Sequence, residues 1–170
     1  MVPEQTFLFL YRRSRLIALF AALVLPLSGG EAHAAWSNKR TMDVATGRTR
    51  CYLESTPGTV NDGYQDIQAI IIVRADAVLV HTESPLDASF ADIGMQVDTQ
   101  TLFPMDAVAD RKAAMFTAQY ARLIEHFKQG TKVRAQLRFW PTWPVTGTHA
   151  VTFSLLGFSK AYAAMLACKE

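Results

Sequence analysis

From Lys132 to Phe139 the chain alternates without interruption: Val133, Ala135, Leu137 and Phe139 are apolar, and Lys132, Arg134, Gln136 and Arg138 are polar. Successive side chains of a strand point to opposite faces, so a period of two demands a strand with one face buried and one wet. No helix satisfies this pattern. A second run of the same kind, "THAVTFSLL", follows close behind. The stretch "RFWPTWPVTG" links the two.

The rest of the chain is read against this pair. "DIQAIIIVRADAVLVHTES" holds two β-branched runs, Ile70 to Val73 and Val78 to Val80, separated by a short polar break. That composition predicts a hairpin. In "FADIGMQVD", Ile93, Met95 and Val97 share one side. "CYLES" begins a further strand near Arg48, and "STPGTVNDG" is dense in turn formers and reads as a loop. The polar segment Ala35–Arg50 starts as an irregular arm with Trp36 as its anchor.

The period changes twice. Phe116, Tyr120, Leu123, Ile124 and Phe127 recur at helical spacing, which predicts a helix over about Thr117–Gln129. Thr117 is its expected N-cap, and Gly130 stops it. Phe158, Tyr162, Met165 and Leu166 mark a closing helix over Ser159–Ala167, with Ser159 as N-cap. Strands outnumber helices and the links are short, so antiparallel pairing follows. The fold class is α+β: an antiparallel, β-sandwich-like sheet carrying two helices.

The chain begins with features of an export signal. Arg12, Arg13 and Arg15 precede the apolar stretch Leu16–Leu27, and "AHA" ends at Ala34. The apolar run is shorter than the roughly 20 residues a membrane span requires. Residues 1–34 are therefore expected to be a signal peptide, with residues 35–170 forming a single secreted domain that is periplasmic or released. The general secretory route fits better than twin-arginine export, because Arg15 stands where an apolar residue is expected. Cleavage removes three of the 17 basic and two of the 15 acidic side chains and leaves a net charge of +1. That gives no field for nucleic acid, and no stable membrane span remains after cleavage.

Cys51 and Cys168 lie near the two ends of the mature part. An even count in an oxidising compartment points to a disulfide between them. The sequence has no CxxC, which removes a thioredoxin-like role. His81, His126 and His149 form no HxH or HExxH pattern, so no metal site and no cofactor are implied. GxSxG, SxxK, GxGxxG and Walker patterns are absent, and Asp87, Asp92, Asp98, Asp106 and Asp110 are scattered singly. No catalytic residue is singled out.

Candidate binding residues remain: Trp140 and Trp143 in the proline-stiffened link, with Arg134 and Arg138 on the strand leading into it. Tryptophan suits an interface or a stacked ligand. The same rings can instead fold back as a lid over the open end of the core. Both readings stand.

The segment "LIEHFKQGTKVRAQLRFWPTWPVTGTHAVTFSLLGFSKAYAAM" resembles the invasion-associated locus B family of secreted bacterial proteins. The similarity lies in "FKQG" before a strand and in "VTFSLLGFSKAYAAM", where Phe153, Leu155, Gly157, Phe158 and Ala161 form a strand–turn–helix junction. "DIGMQVD" matches its mid-chain strand. The chain lacks the further mid-domain cysteines expected of the family, and "WPTWP" is not a family hallmark. The resemblance implies a small periplasmic or surface domain with no established catalytic residues, linked in some members to host-cell invasion. The expected function is non-enzymatic: binding a protein partner in the cell envelope or host. The alternatives are a small-ligand or glycan-binding β-domain using Trp140 and Trp143, or a hydrolase with an unrecognised site. N-terminal sequencing of the exported protein should begin at Ala35; an intact Met1 would remove the cleavage reading.

Overall fold

A computed structural model of the chain describes residues 35–42, 44, 46–141 and 147–168. The expected leader and Trp143 lie outside the described residues. In chain order the elements are β1 (Trp36–Met42), β2 (Thr49–Ser55), β3 (Gly58–Asn61), β4 (Asp66–Val73), β5 (Val78–Thr82), β6 (Gly94–Val97), β7 (Phe103–Pro104), β8 (Ala107–Ala109), β9 (Ala113–Phe116), α1 (Tyr120–Gln129), β10 (Lys132–Leu137), β11 (His149–Ser154) and α2 (Phe158–Leu166).

The strands form two antiparallel sheets. The larger runs β1-β2-β4-β5-β9-β8, with β3 also paired to β4, and the smaller runs β11-β10-β6-β7. Alternation decides which side chains meet between them. Val133, Ala135 and Leu137 of β10 are buried while Lys132 and Arg134 stay exposed. In β4, Ile67, Ala69, Ile71 and Val73 take the inner positions. They join Met95, Val97, Val151 and Phe153 of the smaller sheet in one core. The chain crosses between sheets at Met105 and Asp106: Met105 N–H donates to the carbonyl of Ile93, and Asp106 N–H to that of Met115. On the opposite side β3 runs against β11. A Cβ on Gly58 would stand 2.5 Å from Cγ2 of Val151, so only glycine permits this approach.

The helices close the core. Leu123, Ile124 and Phe127 of α1 are buried, as are Phe158, Tyr162 and Met165 of α2. The Phe127 and Phe158 rings meet edge to face at 5.2 Å, and the Trp36 ring lies 4.9 Å from Phe158. Such geometry adds about 0.5–1.5 kcal/mol per pair beyond area burial. The Trp36 indole N–H donates to the carbonyl of Ser154 at 3.0 Å. The result is the expected α+β sandwich with two helices.

Several boundaries differ from the sequence reading. The expected irregular arm is β1, laddered to β2 from Trp36↔Ser55 to Met42↔Thr49. Its polar residues hid it, because beyond Trp36 its side chains are exposed. The expected loop contains β3, which pairs with β4 from Gly58↔Ala69 to Asn61↔Asp66. The first helix starts at Tyr120, not Thr117, because Ala113–Phe116 is strand β9, paired on both sides. Thr117 is no cap. Its N–H and hydroxyl, with the N–H of Ala118, donate to the Asp106 carboxylate. The second helix spans Phe158–Leu166 rather than Ser159–Ala167. Gly157 takes the N-cap position with φ 80°, and the Ser159 hydroxyl donates to the carbonyl of Lys128. A left-handed residue is what turns β11 into α2, and glycine adopts it without penalty.

Cys51 in β2 and Cys168 beyond α2 form the expected disulfide, across a sequence separation of 117 residues. Closing so long a loop restricts the unfolded chain and stabilises the fold by about 2–5 kcal/mol. Replacing both cysteines by serine should lower unfolding free energy by about that amount in urea. Gly58→Val should cost about 1–3 kcal/mol through overpacking at the seam. An unchanged urea midpoint in either variant would contradict the respective contact.

Candidate functional site

Three connections gather at one end of the molecule: the β3–β4 turn, the β5–β6 link and the β10–β11 link. Hydrogen bonds stitch them together. The Ser84 hydroxyl donates to Asp62 Oδ2 at 2.6 Å. Asp62 in turn accepts the N–H groups of Tyr64 and Gln65, each at 2.9 Å. Trp140 N–H donates to the carbonyl of Pro85 at 2.9 Å, and Asp87 N–H to that of Arg138 at 2.9 Å. An isolated bridge joins Leu86 to Phe139.

Arg138 governs the centre. Its Nε and Nη2 donate to the two oxygens of Asp92 at 2.7 and 2.6 Å, a bidentate clamp. Thr148 Oγ1 donates to the same carboxylate at 2.9 Å. The guanidinium also lies 4.1 Å from the centroid of Phe90. Asp92 thus draws the start and the end of the β10–β11 link to one point. The hydrogen bonds from Arg138 hold the Asp92 pKa down at about 2, with Thr148 adding to the effect.

The candidate binding residues separate into two groups. Trp140 is 56% exposed, whereas Phe139 beside it is 3% exposed and closes the core. The ring that covers the core end is therefore Phe139. Arg138 is committed to the clamp. Arg134 stands away from it on the wet face of β10, opposite Thr152 and Gln96. Trp143 lies outside the described residues. Tyr64, not singled out from the sequence, is 68% exposed on the neighbouring turn.

The scattered carboxylates act as loop locks. Asp98 accepts from the Thr131 hydroxyl and N–H and from Lys132 N–H, and its pKa is lowered mainly by Thr131. Asp106 is lowered by the Thr117 N–H first. For Asp62, burial pushes upward, but hydrogen bonds from Ser84, Gln65 and Tyr64 together prevail and lower it. The histidines sit apart. His126 meets the Phe103 ring at 5.1 Å, His149 meets Phe139 at 5.6 Å, and His81 lies exposed on β5. Among the described residues no three His, Cys, Asp or Glu side chains are grouped to hold a metal.

A second feature escaped the sequence reading. An open cleft of about 650 Å³ lies where β2 runs past the β4–β5 turn, with Arg48, Arg50 and Arg74 in its lining. Arg74 belongs to that turn, at the opposite end of the β4–β5 hairpin from Trp140's partner Pro85. "GRTR" carried the signal for Arg48 and Arg50, two residues apart, but only a strand assignment puts them on one face.

No family model matches the sequence, and no curated protein matches it. Among solved structures, invasion associated protein B from Bartonella henselae is similar, with a TM-score of 0.53 at 17% identity over 81% of this chain and 94% of that chain. The likeness is distant and is one of fold. No helix among the described residues is long and apolar enough to cross a membrane.

The Asp92 clamp has a pH signature. With a folded pKa of about 2 against an ordinary value of 3.8, its stabilisation is whole above pH 3.8 and lost as pH falls towards 2. Asp92→Asn should lower the thermal midpoint at neutral pH and make the acid decline between about pH 5 and pH 2 shallower. Parallel decline in both proteins would exclude Asp92 as a contributor.

Proposed function

We propose that this chain is a non-catalytic, disulfide-locked domain that works outside the cytoplasm, in the periplasm or beyond it. There it captures a protein partner of the envelope or of a host through the loop end that carries Trp140. The observation that carries this reading is a large exposed ring on a fixed base. Trp140 projects 56% exposed, while its own N–H is bonded to Pro85 and the preceding Arg138 is clamped to Asp92. Partner binding then orders little new backbone, which is where much of the cost of association lies. Tryptophan and tyrosine are the rings on which interface energy concentrates, and Tyr64 is exposed on the adjoining turn. The location is supported by the expected leader and by a disulfide that suits an oxidising compartment. The likeness in fold to invasion associated protein B, a protein named for invasion, motivates the choice of an envelope or host partner.

Trp140→Ala should change unfolding free energy by no more than about 0.5 kcal/mol, as at an ordinary surface site. It should also abolish retention of the partner from an envelope or host-surface extract. Undiminished retention would end the Trp140 reading. Retention released by neutral oligosaccharide would assign the ring to a glycan.

A further inference from the structure

Strand β2 is partnered unequally. It pairs with β1 along its whole length, Thr49 to Ser55, but with β4 only at Leu53 and Glu54. The cause is the end of β4. Arg74 N–H donates to the carbonyl of Ala77 at 2.8 Å, and the chain turns back into β5. Thr49–Tyr52 therefore overhang the turn, and no described strand ladders onto that edge. An edge of this kind is a template for an added strand.

The overhang and the turn enclose the 650 Å³ cleft, a size within the range of about 300–1,000 Å³ for ligand sites. Its lining is cationic. Arg48, Arg50 and Arg74 face Glu54 and Asp76, and Glu54 is already approached by Lys39 Nζ at 3.7 Å. Among the described residues no carboxylate pairs with Arg48 or Arg74. Met42, Tyr52 and Ile72 add apolar surface, and Met42 is exposed.

We propose that this corner docks an acidic peptide segment in extended conformation. Its backbone extends the sheet along Thr49–Tyr52. Its carboxylates, on alternate residues, meet Arg48 and Arg74 on the face that also carries Tyr52 and Ile72, and its apolar side chains turn to the opposite face, on which Met42 lies across from Thr49. Strand addition supplies affinity through main-chain bonds, and guanidinium groups select carboxylates by forked donation. The site is separate from the Trp140 loop and stands or falls without it.

The test is fluorescence anisotropy with the mature chain and a fluorescein-labelled peptide of alternating glutamate and valine. Saturable binding that weakens with added salt is expected. The Arg48→Glu/Arg74→Glu double variant, exposed at both positions, should keep its melting temperature and bind about tenfold more weakly or worse. Backbone N-methylation at the central residues of the peptide, which leaves its charge intact, should weaken binding by a similar factor. Trp140→Ala should bind it unchanged. Absence of saturable binding overturns the proposal. So does an N-methylated peptide that binds equally well, or inorganic phosphate that displaces the peptide at equal charge, since either marks a simple anion site. Equal affinity in the double variant places the peptide elsewhere.

Discussion

The Trp36 indole is the contact on which the architecture converges. It stands at the start of β1, a strand whose remaining side chains are exposed, and is itself 4% exposed. Its ring faces Phe158 of α2 and Phe127 of α1, and its N–H reaches the last carbonyl of β11. A buried indole N–H without an acceptor costs about 1–3 kcal/mol, so the Ser154 bond is a condition of burying the ring at all. One side chain thereby holds an edge strand of the larger sheet, the end of the smaller sheet and both helices. The β1–β2 ladder supplies main-chain bonds, but beyond Trp36 no side chain of β1 is buried against the body of the protein.

The carboxylates make a second, more distributed system. Asp62, Asp92, Asp98 and Asp106 each collect donors from residues distant in sequence or from an adjoining turn. Each sits where a loop must be set. This distinguishes the molecule from a domain whose acidic groups converge in one cavity. It also explains how the loop end can hold Trp140 in place with little apolar burial around it.

Much of the fold was legible because alternation is a local property. Lys132–Phe139, Ile70–Val80 and Ile93–Val97 carry their faces in the sequence itself. Cys51 and Cys168 were legible as a pair because only two cysteines exist. What escaped depends on partners. β1 is polar and exists through its ladder. β3 is built from turn formers and exists through β4. The Ala113–Phe116 strand is short and merges into a helical period that begins just beyond it. The turn that leads into α1 is held by Asp106, eleven residues before Thr117, and no pattern at the helix start reveals it. The candidate site divides likewise. Trp140 and Arg138 stood out as residues, yet Asp92, which fixes Arg138, lies 46 residues away with no spacing to mark it. Arg48 and Arg50 became neighbours on a face only once β2 was in place.

The bond between Cys51 and Cys168 alters how the domain bears load. Tension applied at its two ends runs from the first residues through β1 and β2 to Cys51, crosses the sulfurs, and leaves at Cys168. Every strand from β3 to β11 and both helices lie inside the covalent ring and are bypassed. Pulling can peel β1 and draw Trp36 from its socket, but it cannot reach the sandwich while the sulfurs remain joined. Such a load would pull Thr41, Met42, Arg48 and Arg50 out of the arginine-lined corner, because all four precede Cys51, and would leave Trp140 and the Arg138–Asp92 clamp inside the closed ring untouched.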